Sequence, residues 1–352
     1  MIVLDADVLG RARTGDETYV ANLLRELPRV APDLRFAAVT RHPELVPDGV
    51  EAIALPARSQ EMRMAWSLPR LLRRLRPALA HFQHAVPLGW RGPTVVTVHD
   101  LSFERDAAAM GRLDRIVFRW AVPHAVRRAD RVLAVSERTK RDLVELYSTS
   151  PDKVVVTPNG VDPSFFPAGE AGGVEVHLRQ EASGVTLRQP ASYLLFVGAI
   201  QRRKDPLAAL EAAKALGLEL VVAGPEKEPL LARELREGGA ELRGYVSKDE
   251  LADLYRGAAA LLMPSRFEGF GLPVLEAMAC GTPVVAAPDP ALREVAGEAA
   301  VYAEDGDFAA AARHALAERD RLSAAGLERA RLYSWEATAR RTADVYREVL
   351  EP

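Results

Sequence analysis

Short apolar runs alternate with amphipathic helical stretches along most of the 352 residues, and this alternation constrains the fold more than any other feature. Residues 2–4, 36–39, 94–98, 131–135, 153–156, 193–197, 218–223 and 259–263 read as buried strands. Helical patterns at 17–27, 112–128, 137–147, 206–216 and 248–255 separate them. Alternation of this kind implies parallel sheets with helices on both faces, an α/β fold of doubly wound type. It breaks at Asn159-Gly160-Val161-Asp162-Pro163 and in the Gly-rich, polar stretch that follows, then resumes at Tyr193. The expected organisation is a domain over 1–165, a linker or flexible insertion over 166–190, and a second domain over 191–334. The last amphipathic stretch begins at Trp335. A chain of this length can give both domains a core. Ligands of such sheets sit at the carboxyl ends of the strands, so two facing domains would share a cleft.

Bulk properties narrow the function classes. No apolar stretch approaches the ~18 residues of a membrane span. Met1 to Asp5 reads as a strand and not as a signal peptide, because no basic region precedes an apolar core. The lone Cys280 excludes an internal disulfide and a cysteine metal cluster. The cytoplasm is the expected compartment. A formal net charge of −3 argues against a nucleic-acid partner. Basic residues concentrate in 58–76, where Arg58, Arg63, Arg70, Arg73, Arg74 and Arg76 are interleaved with Met62, Met64, Trp66, Leu68, Leu71, Leu72 and Leu75. This segment suits peripheral contact with an anionic membrane at its inner face. A solvated arginine face on a core helix, broken by Pro69, is the plainer alternative.

The stretch from Pro264 to Val285, P-S-R-F-E-G-F-G-L-P-V-L-E-A-M-A-C-G-T-P-V-V, carries the most chemistry. It reads as strand, glycine-bearing loop, helix and strand, with Pro273 at the helix start and Gly281 at its stop. Glu268 falls in the loop and Glu276 in the first turns of the helix. An acid at a helix N-terminus is commonly no more than a favourable dipole contact. Yet loop amides and a helix N-terminus bind anions, and a carboxylate accepts paired hydrogen bonds from a diol. Together they suit a ligand with phosphates and many hydroxyls, a nucleotide sugar.

The same string resembles the E-x7-E signature of retaining GT-B glycosyltransferases of family 4, also called glycosyl transferases group 1. That resemblance implies two Rossmann-like domains, with the first for the acceptor, the second for the donor, and the final helix packed back on the first. Further segments extend it. Leu194 to Asp205, L-L-F-V-G-A-I-Q-R-R-K-D, is similar to the family's diphosphate-contacting V-G-x-x-x-x-R-K-N segment, which assigns Lys204 and, beside it, Arg203 to the diphosphate; Ala199 stands where some members have arginine. His99-Asp100, at a strand end, resembles the family's H-D dipeptide beside the donor sugar. Arg13-Thr14-Gly15-Asp16-Glu17-Thr18-Tyr19 matches the phosphate- or acceptor-facing loop in Gly15 and Tyr19, with Asp16-Glu17-Thr18 divergent. Ser136 to Lys140 is similar to an S-x-x-x-K segment, and Arg243 to Val246 to the place where members hold the base.

The resemblance thus implies a mannosyltransferase-like enzyme of polysaccharide biosynthesis. It would move a hexose from a nucleoside-diphosphate sugar, GDP-mannose by preference, to a glycan or lipid-linked acceptor, forming an α-glycoside. His99, Glu268 and Lys204 are expected at the chemistry. Arg203, Lys204, Val246, Glu268, Gly269, Phe270, Gly271, Leu272 and Glu276 are expected on the donor, and Gly15, Asp16, Tyr19 and Asp100 near phosphate or acceptor. No cofactor and no metal are expected. A UDP-glucose-dependent transferase, a nucleotide-sugar epimerase and a non-catalytic sugar-nucleotide binder are the alternatives.

Overall fold

Each half of the chain builds one parallel sheet. The computed structural model describes residues 1–11, 14–57, 59–105, 111–167 and 193–351. Among these, β1 (Ile2–Asp5), β2 (Phe36–Thr40), β3 (Glu51–Ala54), β4 (Leu79–Gln83), β5 (Thr94–Val98), β6 (Arg131–Ala134) and β7 (Val154–Val156) pair in the order β3-β2-β1-β4-β5-β6-β7. The second sheet uses β8 (Tyr193–Val197), β9 (Glu219–Ala223), β10 (Glu241–Gly244), β11 (Ala260–Met263), β12 (Val284–Ala286) and β13 (Ala300–Tyr302), in the order β10-β9-β8-β11-β12-β13. Every pairing is parallel. The direction of winding reverses between β1 and β4 in one sheet and between β8 and β11 in the other. Such reversals open a crevice at the carboxyl ends of the flanking strands.

Central strands such as β1, β2, β5 and β11 are buried along their whole length. Helices cover both faces. On the helix Thr14–Val30, Leu23, Leu24 and Leu27 are fully buried, each stabilising the fold by about 1.5–3 kcal/mol through apolar burial. The chain divides into two compact units, Met1–Gly160 with Tyr333–Pro352, and Val161–Leu332. The C-terminal helix Trp335–Leu350 therefore belongs to the first unit. It lies against Thr14–Val30, ties Arg347 to Asp33 at 2.9 Å, and brings the Tyr346 hydroxyl 2.6 Å from His81 Nδ1. Most of the expected linker, from 168 to 190, lies outside the described residues.

Several expectations change. Gly15 and Asp16 do not sit in a loop: the helix begins at Thr14, with Asp16 and Glu17 in its first turn, where carboxylates oppose the positive helix end. Tyr19 is fully buried, its hydroxyl 3.1 Å from Thr97 Oγ1, and it packs edge-on to His99 and Trp335. It shapes the core and cannot face a ligand. Arg63 leaves the basic surface altogether. It is fully buried and grips Asp5 at 2.5 and 3.0 Å, with Asp7 at 3.4 Å. Pro69 lies in the first turn of Leu68–Leu75, directly after a π-helical stretch over Arg63–Ser67 that separates it from the helical turn Gln60–Met62. Arg58 lies outside the described residues. The strands β3, β4 and β13 carry no clear apolar run, and β4 hides because His81 and Gln83 break it. His81 is nevertheless at home there, since Tyr346 and Thr97 occupy both ring nitrogens. No helix among the described residues is long and apolar enough to cross a membrane.

Candidate functional site

The crevice beside β8 and β11 gathers most of the residues assigned to the donor. After β8 the chain turns at Gly198, whose φ of 150° only glycine adopts readily, and reaches the short 3-10 turn Arg202–Lys204. After β11, residues 264–271 run to the helix Leu272–Ala279. The two loops are laced together. Arg266 N donates to Arg203 O at 3.0 Å, Arg203 Nη1 donates to Phe267 O at 2.5 Å, and Lys204 Nζ lies 2.5 Å from Glu268 Oε1. Lys204 and Glu268 are largely buried, with side-chain exposures of 13% and 9%. The two side chains thus form a largely buried ion pair that joins the loops. Ser265 Oγ, fully buried in the same loop, has no protein partner among the described residues.

Gly271 starts the helix at φ 105°, and a Cβ there would stand 2.7 Å from Leu292 Cδ2. Bare backbone at a positive helix end is suited to close approach of an anion. Four residues into that helix, Glu276 accepts a hydrogen bond from the Tyr255 hydroxyl at 2.9 Å. Burial pushes its carboxyl up to about 7; the Tyr255 bond works against this, and the Asp162 charge adds to it. Asp162 itself is held near 2: burial would raise it, but its hydrogen bonds from Lys248 (2.5 Å) and Ser164 outweigh that. Glu276 is a carboxyl poised to ionise near neutrality beside an ion pair, a common mark of a working site. Val246, half-buried, follows β10 and the φ 65° turn at Gly244.

In the first unit, the crevice beside β1 and β4 holds a different group. His99 follows β5, is 9% exposed, and pairs Nε2 with Gln83 Oε1 at 2.9 Å. Its backbone oxygen accepts from Thr139 Oγ1 at 3.3 Å, and Thr139 N in turn caps onto Ser136. So the segment 136–140 helps to fix the His99 backbone. Burial drives the His99 ring down to about 4, Asp16 opposing and His84 adding to the effect, which keeps it neutral at ordinary pH. Asp100 spends one oxygen on Ser102 N at 2.8 Å, a local turn. Sequence reasoning missed Gln83, His84, Tyr255, Lys248 and Asp162, which hold or charge the assigned residues. None lies in a motif; the fold alone brings them in.

Two family models match the chain, Glycosyltransferase Family 4 over residues 13–165 and Glycosyl transferases group 1 over residues 191–318. The chain is similar to O-antigen chain mannosyltransferase B of Escherichia coli, at 30% identity over 61% of this chain and 60% of that one. It is also similar to D-inositol 3-phosphate glycosyltransferase of Kineococcus radiotolerans, at 33% identity over 74% and 67%. The chain thus spans about 60% of the length of the Escherichia coli relative. Among solved structures, sucrose-phosphate synthase from Thermosynechococcus elongatus superposes with a TM-score of 0.78 at 21% identity, over 99% of this chain and 98% of that one.

Proposed function

Because the chain belongs to glycosyltransferase family 4 and has the two-sheet α/β fold of GT-B glycosyltransferases, we propose that it is a retaining glycosyltransferase. It moves a hexose from a nucleoside-diphosphate sugar, GDP-mannose by preference, to a glycan or lipid-linked acceptor and forms an α-glycosidic bond. The mannosyl preference is supported by the name of the Escherichia coli relative. The observation that carries the reading is the joining of Lys204 to Glu268 at the carboxyl edge between β8 and β11.

In this mechanism Lys204 and Arg203 compensate the charge that grows on the diphosphate as its oxygen parts from the anomeric carbon. The first-turn amides after Gly271 assist. Glu268, released from Lys204 by the incoming phosphate, accepts from sugar hydroxyls, and backbone N–H groups of the Gly269, Phe270 and Leu272 segment donate to them. Glu276 accepts from the ribose diol. The backbone near Val246 meets the base. In the first unit, His99 bonds a sugar hydroxyl, and the acceptor lies near Asp16 and Asp100. The acceptor oxygen attacks from the face the diphosphate leaves, and its proton passes to the departing phosphate oxygen. No metal enters these steps. The exposed face of Trp66, Arg70, Arg73 and Arg74, with Arg70 stacked 4.1 Å over Trp66, is assigned to the anionic surface that a lipid-linked acceptor inhabits.

A thermal-shift panel with GDP, UDP, ADP and their sugar conjugates tests the donor assignment. A shift with guanine ligands alone, followed by mannosyl transfer that survives EDTA, is the expected result. A uridine-only shift moves the donor to UDP-glucose. Sugar interconversion without acceptor marks an epimerase, and binding without turnover a non-catalytic binder. No shift with any nucleotide refutes the reading.

A further inference from the structure

The fold brings one ligand atom each from Asp16, His84 and His99 within 4.8 Å of one another, from three segments that share no motif. We propose that these three residues form a binding site for a divalent transition cation of the zinc class, and that its occupancy withdraws His99 from sugar binding.

The placement follows from the sheet. The helix bearing Asp16 follows β1, His84 directly follows β4, and His99 directly follows β5, and these three strands are adjacent in the order β1-β4-β5. His84 adopts φ 59°, a left-handed backbone uncommon for residues other than glycine. Its ring lies between His99 and Phe118, with centroids 5.2 and 6.0 Å away. Nδ1 of His84 is buried and has no hydrogen-bond partner among the described residues. A buried ring nitrogen left without a partner is what a cation would satisfy.

His99 is equally prepared. Its Nε2 is engaged by Gln83 Oε1, which leaves Nδ1 as the lone-pair nitrogen of a neutral ring when Nε2 carries the proton. An oxygen acceptor on the far nitrogen of a ligating histidine fixes its tautomer and orientation, and Gln83 Oε1 is placed to do so. Asp16 supplies the hard oxygen donor, and a second carboxylate, Asp100, directly follows His99 in the chain. Two imidazoles and one carboxylate, with remaining positions left to water, suit zinc, iron(II) or nickel better than magnesium or calcium, which favour oxygen-only shells. Bonds of about 2.0–2.2 Å require closer donors than the present 4.8 Å limit, a closure open to rotation of the Asp16 side chain in its first helical turn.

Equilibrium dialysis of the full chain against zinc chloride, without nucleotide, tests the site. The expected result is one zinc retained per chain, with His84→Ala and Asp16→Asn each weakening retention at least tenfold while the zinc-free melting curves stay superimposable. Cobalt(II) in place of zinc should give a visible spectrum that His84→Ala abolishes. Should His84→Ala fail to fold, Asp16→Asn decides. Retention that neither substitution changes, or no retention by the unaltered chain, overturns the proposal. The effect on His99 rests on the transferase reading and is tested separately: zinc should depress transfer and a chelator restore it. Zinc retention without any transfer would sink that reading and leave the metal site standing.

Discussion

Lys204 Nζ and Glu268 Oε1 meet at 2.5 Å, each drawn from a different loop at the point where the second sheet reverses its winding. The ion pair holds the two loops together and stores the charges that a sugar diphosphate would use separately. Truncating either partner strands the other as a largely buried charge. Lys204→Ala and Glu268→Ala should each lower kcat/KM by about 10²–10³, the range for removal of one pre-placed transition-state contact. The double variant should lose little more than the worse single one, because residues acting as a unit are not additive. Steady-state kinetics of the three proteins checks both statements.

Glu276 gives a pH signature with two opposite slopes. Its folded carboxyl lies near 7 through burial, above the ordinary 4.5. A raised carboxyl favours the folded state in its protonated form, so this contribution is full below pH 4.5 and is lost as pH rises through 7. Ligand binding runs the other way, since only the carboxylate accepts both hydrogen bonds of a diol. Nucleoside-diphosphate affinity should fall as pH drops below 7. Glu276→Gln should bind more weakly and without that dependence, which calorimetric titration at a series of pH values reads directly.

The first unit should be sensitive to acid. Burial lowers His81 to about 3 and His99 to about 4, from an ordinary 6.5. Groups depressed in this way stabilise the fold above pH 6.5 and lose that contribution as pH falls through their folded values. His81→Gln should flatten the decline in stability between pH 6.5 and 3. Denaturant melts across that range supply the comparison.

Arg63 tests the corrected reading of the basic segment. Its guanidinium is buried against Asp5 and Asp7, the latter also held by Arg41 at 2.8 Å. Arg63→Ala should cost about 3–5 kcal/mol, the usual cost of breaking a buried pair. Arg70→Ala and Arg73→Ala, at exposed positions, should each stay within about 0.5 kcal/mol. Equal effects at all three positions would contradict the assignment of Arg63 to the core.

Gly271→Ala should be costly for two separable reasons. The φ of 105° is strained for alanine, and the new Cβ would press on Leu292. We expect a loss of about 1–3 kcal/mol together with a weaker nucleotide response. Adding Leu292→Ala removes the steric part and leaves the backbone part, so only partial recovery of nucleotide binding is expected in the thermal-shift assay.

Much of the architecture was legible because central strands of a parallel sheet are apolar on both faces. β5, β8 and β11 announce themselves for that reason, and the loop-helix string around Glu268 and Glu276 follows from glycine and proline placement. What stayed hidden was polarity satisfied at a distance. β4 escaped notice because a buried histidine interrupts it, and its partners Thr97 and Tyr346 lie 16 and 265 residues away. Tyr19 carried a motif-like position but is consumed by packing, since helical periodicity does not say which face meets the core when the helix start is misplaced. Arg63 read as surface because its carboxylate partners precede it by more than fifty residues. His84 had no signal at all; its importance lies in a backbone angle and a neighbour, neither of which sequence spacing records.

Gly160 ends the first unit's continuous stretch at a place where a Cβ would fall 2.0 Å from Trp335 N, and Thr338 Oγ1 donates to Pro158 O at 2.5 Å one turn further on. The outgoing and returning chains are therefore in backbone contact. To the first unit, everything from Val161 to Leu332 is a single loop whose two ends are already closed on each other. Loop-closure entropy grows only with the logarithm of length, so that unit bears little more for a whole domain there than for a short connector. The crossing works as an insertion port, a seam at which one folding unit can be exchanged for another without reopening the sheet beneath it.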